Sequence, residues 1–180
     1  MNETKNPMTE EMNNIKKSRD PKGLGFFLLK ILFIAVLAGF LFVVYKGAEA
    51  EDVDLAEIDA ALKADTEFTA VLKDQSDRDL MQFIGLNAAD YEQVLYYRNT
   101  QALAVDEVLV VKAKEGTSVD GVETAVRKRI ESQITAYSGY APEQVKMLKN
   151  AAVKKVGNYV IYCTADKADK YKEVVLDAIQ

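Results

Sequence analysis

Histidine and tryptophan are absent from this 180-residue chain, there is one cysteine, and only three prolines interrupt it. The lack of histidine removes the usual general base, the commonest zinc ligand and the side chain that titrates near neutral pH. The lone Cys163 cannot close an intramolecular disulfide, so stability has to come from packing. Basic surface is scarce as well. Residues 1–45 hold six basic and four acidic side chains, which leaves 17 basic against 24 acidic, a net −7, for residues 46–180. An acidic body of this kind excludes sequence-independent binding to phosphate backbones, and no nucleic-acid partner is expected.

What the chain does have is one long apolar run, Leu24–Tyr45, LGFFLLKILFIAVLAGFLFVVY, broken only by Lys30. At about 1.5 Å of rise per residue it makes a helix of roughly 33 Å, enough to cross a hydrocarbon core of about 30 Å. Lys16, Lys17, Arg19 and Lys22 precede the run, whereas Lys46 alone stands against Glu49, Glu51, Asp52, Asp54, Glu57 and Asp59 beyond it. That asymmetry predicts a cytoplasmic N-terminus and an exterior body. The expected organisation is a disordered cytoplasmic tail (1–22), a transmembrane helix (23–45), a short tether (46–53) and an extracytoplasmic domain (54–180), placed at the plasma membrane. Ala48-Glu49-Ala50 also fits a signal-peptidase site that would release residues 51–180. The apolar run exceeds the usual length of about 7–15 residues in a signal peptide, which favours a retained anchor. No cysteine follows the run, which excludes lipoprotein attachment.

Within the body, Asp54 is placed to cap a helix carrying Leu55, Ile58 and Leu62, and Ser76 or Asp77 a second one carrying Leu80, Met81, Phe83 and Ile84, which Gly85 ends. From Tyr91 the pattern turns β-prone: Tyr91–Arg98 and Val105–Lys114 read as strands. A long helix follows from Ser118, with Val119, Val122, Val126, Ile130, Ile134 and Tyr137 along one side. Pro142 opens a short one. Gly157-Asn158 sits between two β-prone runs as a tight hairpin, and the second, Tyr159–Thr164, is apolar on both faces and therefore central. Asp166 opens the last helix. The expected fold is α+β: a single antiparallel sheet of about four strands, covered by helices on one face, after one transmembrane helix.

Four strings in this body, FIGL ending at Leu86, EVLVVKAKEG, RKRIESQITAYSGYAPEQ and GNYVIYC, and the spacing of Arg129, Gln133 and Tyr140, resemble the bacterial domain of unknown function 4358. The resemblance spans about residues 54–178. It implies an exterior domain behind a membrane anchor or lipoprotein signal, and implies no catalytic residues.

The residues themselves offer few chemical constellations. Asp74, Asp77 and Asp79 lack the glycine and the distant glutamate of a calcium loop, and helix-start acidity accounts for them. Ser132 or Ser138 with Lys128 or Lys146 would need a buried lysine to make a nucleophile. Cys163 lies in a core-like run. No catalytic residue, metal ligand or cofactor site is expected. The candidate binding patch is aromatic and polar: Tyr97, Arg129, Gln133, Tyr137, Tyr140 and Tyr159, drawn from a chain with nine tyrosines. The expected partners are the lipid bilayer, through Leu24–Tyr45, and an unidentified exterior protein or envelope component bound without turnover. The alternatives are an envelope hydrolase or transferase using carboxylates or a Ser/Lys pair, and a soluble domain released after Ala50.

Overall fold

The computed structural model describes the backbone of residues 21–46 and 50–180, and the side chains of residues 25–41 and 50–180. Most of the expected cytoplasmic tail, with Lys16, Lys17 and Arg19, lies outside the described residues, as do Ala48 and Glu49 of the cleavage motif. Helix α1 spans Pro21–Lys46 and belongs to a compact unit separate from the body, residues 47–180. Every large apolar side chain described in it, from Phe26 to Leu41, is exposed. Among the described side chains no helix is long and apolar enough to cross a membrane; those of α1 end at residue 41, while its backbone helix continues to Lys46.

The body runs α2 (Leu55–Lys63), α3 (Thr66–Val71), β1 (Lys73–Asp74), α4 (Asp77–Phe83), β2 (Gln93–Arg98), β3 (Glu107–Lys112), α5 (Asp120–Tyr137), α6 (Pro142–Lys149), β4 (Ala152–Val156), β5 (Tyr159–Thr164) and α7 (Ala168–Ile179). Local chemistry sets the helix starts. The Asp54 carboxylate accepts from Ala56 N at 2.9 Å, and Ser76 and Asp79 form a reciprocal capping box. Gly85, with φ of 84°, closes α4 by donating its N–H back to Leu80 and Met81. Ser118 accepts from Asp120 N at 3.2 Å, so α5 begins two residues after it.

All five strands join one antiparallel sheet in the order β1-β2-β3-β5-β4. The central strands β3 and β5 are buried at every position. Tyr97, Val108, Val110, Tyr159, Ile161 and Cys163 pack with α2, Phe68 of α3 and α7 on one face. Tyr96, Leu109, Val111, Val160 and Tyr162 pack with Leu80 of α4 and with Val122 and Val126 of α5 on the other. Two expectations are thereby corrected. The sheet has five strands rather than about four, because Lys73–Asp74 pairs with Tyr97 and Arg98 through backbone bonds that need no apolar pattern. It is also covered on both faces, as strands without hydrophobic alternation require.

Residues 50–53, the end of the expected tether, are bonded to this body. Glu51 N–H donates to Ile179 O at 2.7 Å, and Val53 N–H to the Tyr159 hydroxyl at 3.0 Å. That hydroxyl stands 3.2 and 3.1 Å from the carbonyl oxygens of Glu51 and Val53, to either of which it can donate. Asp52 meets the buried Lys112 ammonium at 2.6 Å, which Glu92 flanks at 2.8 Å. The hairpin turn completes the contact. Gly157 has φ of 54°, and a Cβ built on it would stand 3.0 Å from the Ala50 Cβ and 3.1 Å from its nitrogen.

Gly157→Ala is therefore expected to destabilise the body by more than the roughly 1–2 kcal/mol of left-handed strain alone. Gly116→Ala, at φ 74° with open space around it, should cost only that strain. Urea unfolding of the two variants side by side measures the difference; equal midpoints would mean that the Ala50 contact carries no energy.

Candidate functional site

Strand register builds one polar row inside the body. Arg98, Glu107 and Thr164 are direct partners across β2, β3 and β5, so they share the face that α5 covers. Helix α5 places Arg129 and Gln133, one turn apart, at the same end, beyond the apolar pair Val122 and Val126.

Glu107 is 1 % exposed and is surrounded by donors. Arg129 reaches its Oε1 through Nη2 at 2.7 Å and its Oε2 through Nε at 3.4 Å. Tyr96 and Tyr162 donate their hydroxyls to Oε1 and Oε2, at 3.3 and 3.2 Å. Burial pushes both phenols well above their ordinary pKa, and the charge of Glu107 adds to the shift. For Arg129, burial pulls the other way, but the hydrogen bond to Glu107 and its charge outweigh it and hold the guanidinium more firmly protonated. The carboxylate is thus committed to four donors, and neither phenol releases a proton near neutral pH. The cluster fastens α5 to the sheet and holds no free acid or base.

Around it some capacity is left over. Phe83 of α4 has the guanidinium carbons of Arg98 and Arg129 at 4.1 and 5.4 Å from its ring centre. Arg98 Nε, Gln133 Oε1 and Thr164 Oγ1 are the buried side-chain polar atoms without a hydrogen-bond partner among the described residues, and all three belong to this row and the helix over it.

The structure does not bring the six expected patch residues together. Tyr97 and Tyr159 are buried on the opposite face of the sheet. There the Tyr97 hydroxyl donates to Asp59, and burial first, then that acceptor, push its pKa up to about 12. Arg129 and Gln133 lie in the polar row. Tyr137 and Tyr140 form an edge-to-face pair at the α5–α6 corner, with ring centres 5.7 Å apart and Tyr140 61 % exposed. Glu107 and Thr164 were missed because each sits in a run that otherwise reads as apolar strand; a carboxylate opening the string EVLVV was the signal that could have found the row. Ser138 and Lys146 border a common groove, but both are exposed, and the Ser138 hydroxyl donates to Thr135 O at 3.0 Å. Cys163 is fully buried, and burial raises its thiol pKa to about 12. The Asp79 carboxylate is engaged by Ser76.

Arg129→Met, which strands the Glu107 charge, is expected to cost about 3–5 kcal/mol in denaturant unfolding, and adding Glu107→Leu should restore much of it. Stability should also fall at alkaline pH. Tyr96, Tyr97 and Tyr162 hold their protons more tightly folded than unfolded, so their contribution is complete below the ordinary tyrosine value of about 10 and is lost as pH rises through the folded values, about 12 for Tyr97 and higher still for Tyr96 and Tyr162. Phenolate absorbance recorded with circular dichroism tests this; full titration of all nine tyrosines near pH 10 in the folded protein would refute it.

Neither the curated proteins nor the solved structures yield a match to the chain. A family model matches residues 64–165, from the end of α2 to the residue after β5, and so takes in the whole sheet, the polar row and α5. The chain accordingly belongs to the family of the domain of unknown function (DUF4358).

Proposed function

We propose that this chain is a single-pass membrane protein, N-terminus cytoplasmic, whose α+β domain stands outside the plasma membrane and holds a protein or envelope partner without transforming it. The observation that carries the reading is α1: a helix from Pro21 to Lys46 whose described large apolar side chains are all exposed, with no polar face to turn to water. Burying one such side chain is worth about 1.5–3 kcal/mol, so a helix apolar all round belongs inside an apolar medium. The basic residues before it and the acidic ones after it support the orientation. Binding rather than turnover is supported by the polar row, whose one carboxylate, Glu107, is taken up by Arg129, Tyr96 and Tyr162, and by the aromatic pair at the α5–α6 corner, of which Tyr140 is exposed.

Paired fusions after Gln180 test the topology. Alkaline phosphatase should be active and β-galactosidase silent, and the chain should resist extraction at alkaline carbonate pH. A cytosol-only reporter signal would overturn the reading, and a mature N-terminus at Glu51 would remove the retained anchor.

A further inference from the structure

From Gln144 to Ala165 the chain has no carboxylate side chain, although the body as a whole is strongly acidic. The same stretch holds Lys146, Lys149, Lys154 and Lys155, and it folds as most of α6, the edge strand β4 and β5. Lys155 pairs with Asp120. Lys146 and Lys149 are exposed and have no ion pair among the described residues.

These two lysines border a groove of about 540 Å³ between the end of α5 and α6. Its apolar lining is Ile134, Pro142 and Val145, and its polar lining is Ser138 and Asn150 in addition to the lysines. No carboxylate lines it. Cations in the last turn of α6 suit the helix dipole. Carboxylates stand close by, since Glu143, Asp166 and Asp169 line the adjoining groove that shares Lys146 and Asn150, but none turns into this one. The dipole does not explain that one-sidedness, nor why Tyr140 stands exposed in the loop that joins the two helices.

We infer that the α5–α6 groove is a docking site for an acidic peptide segment of a protein partner, its apolar side chains seated on Ile134, Pro142 and Val145 and its carboxylates on Lys146 and Lys149. This rests on the proposal that the domain is a binding module, and supplies the chemistry of what is bound. Apolar anchors give such a contact its affinity, and the lysines give it its sign and its on-rate. A second copy paired through the same groove is a poor occupant, since two-fold symmetry would set Lys146 and Lys149 against the same two lysines.

The test uses the full chain in a zwitterionic detergent and a fluorescein-labelled peptide of glutamates interrupted by leucines at helical spacing, read by anisotropy. The peptide should bind, binding should weaken with salt, and Lys146→Glu with Lys149→Glu together should weaken it about tenfold or more. Lys73→Glu, on the distant β1 edge, should leave it unchanged, and replacing the peptide's glutamates by glutamines should recover part of the affinity lost in the charge-reversed variant. Both groove lysines are exposed and unpaired, so unfolding midpoints should fall only slightly, by the lost helix-dipole interaction; Val145→Asp, which adds a negative charge to the groove lining, should also weaken binding and gives a second readout. Absent binding, binding indifferent to the reversal, or a Lys146- and Lys149-dependent response only to phosphatidylglycerol vesicles would each overturn the inference. Peptide capture that survives the reversal would leave the binding module standing and remove only the groove.

Discussion

Two strands buried on both faces set the terms for the body. Every side chain of β3 and β5 is covered, which no single layer of helices achieves. The chain meets this by dividing its helices: α2 and α7, from the two ends of the body, close one face, and α4 and α5, from its middle, close the other. The first face is therefore assembled from residues far apart in sequence. The second is drawn from Leu80 to Tyr162 and lies within residues 64–165, which the family model matches. That span takes in the sheet with its α5 cover, while α2 lies before it and α7 after it.

Inside the α5 face, burial of Glu107 is the costly choice. A carboxylate taken out of water loses several kcal/mol of hydration, and an apolar residue of similar size at the start of β3 would often be at least as stable. What the carboxylate provides is position. Val122 and Val126 would pack on the sheet with α5 shifted by some fraction of a turn, whereas Arg129 reaches both carboxylate oxygens from one setting only. Tyr96 and Tyr162, contributed by strands on either side of β3, tie that setting to the strand register. A slip of one residue would send Glu107 to the opposite face, away from all four of its donors.

Much of this was legible before any coordinates. Helix caps at Asp54 and Ser76, the Gly85 stop, the Gly157 hairpin and the central place of Tyr159–Thr164 all follow from side-chain chemistry acting within a few residues. The second covered face was legible too, since Val108–Val111 and Tyr159–Cys163 both lack alternation; covering only one face was the error. Lys73–Asp74 was not legible, because a two-residue edge pairing carries no hydrophobic signature. The site was less readable than the fold. Tyr97 and Tyr159 share a residue type with Tyr137 and Tyr140, and only their place on strands β2 and β5 separates these core tyrosines from the pair at the α5–α6 corner. Glu107 pairs with Arg129 across 22 residues of sequence, a distance at which composition says nothing about contact.

The docking of residues 50–53 changes what a cleavage after Ala50 would mean. That bond joins a residue packed against Gly157 to one whose N–H is held by Ile179, near the chain's end. Proteases take their substrates extended and unpaired, so the bond is open before β5 and α7 have folded and closed afterwards. Tyr159 and Lys112, both on the face closed last by sequence order, hold Glu51, Asp52 and Val53 in place. A cut at that bond would therefore have to come before the C-terminal helix docks, because folding, once complete, covers it.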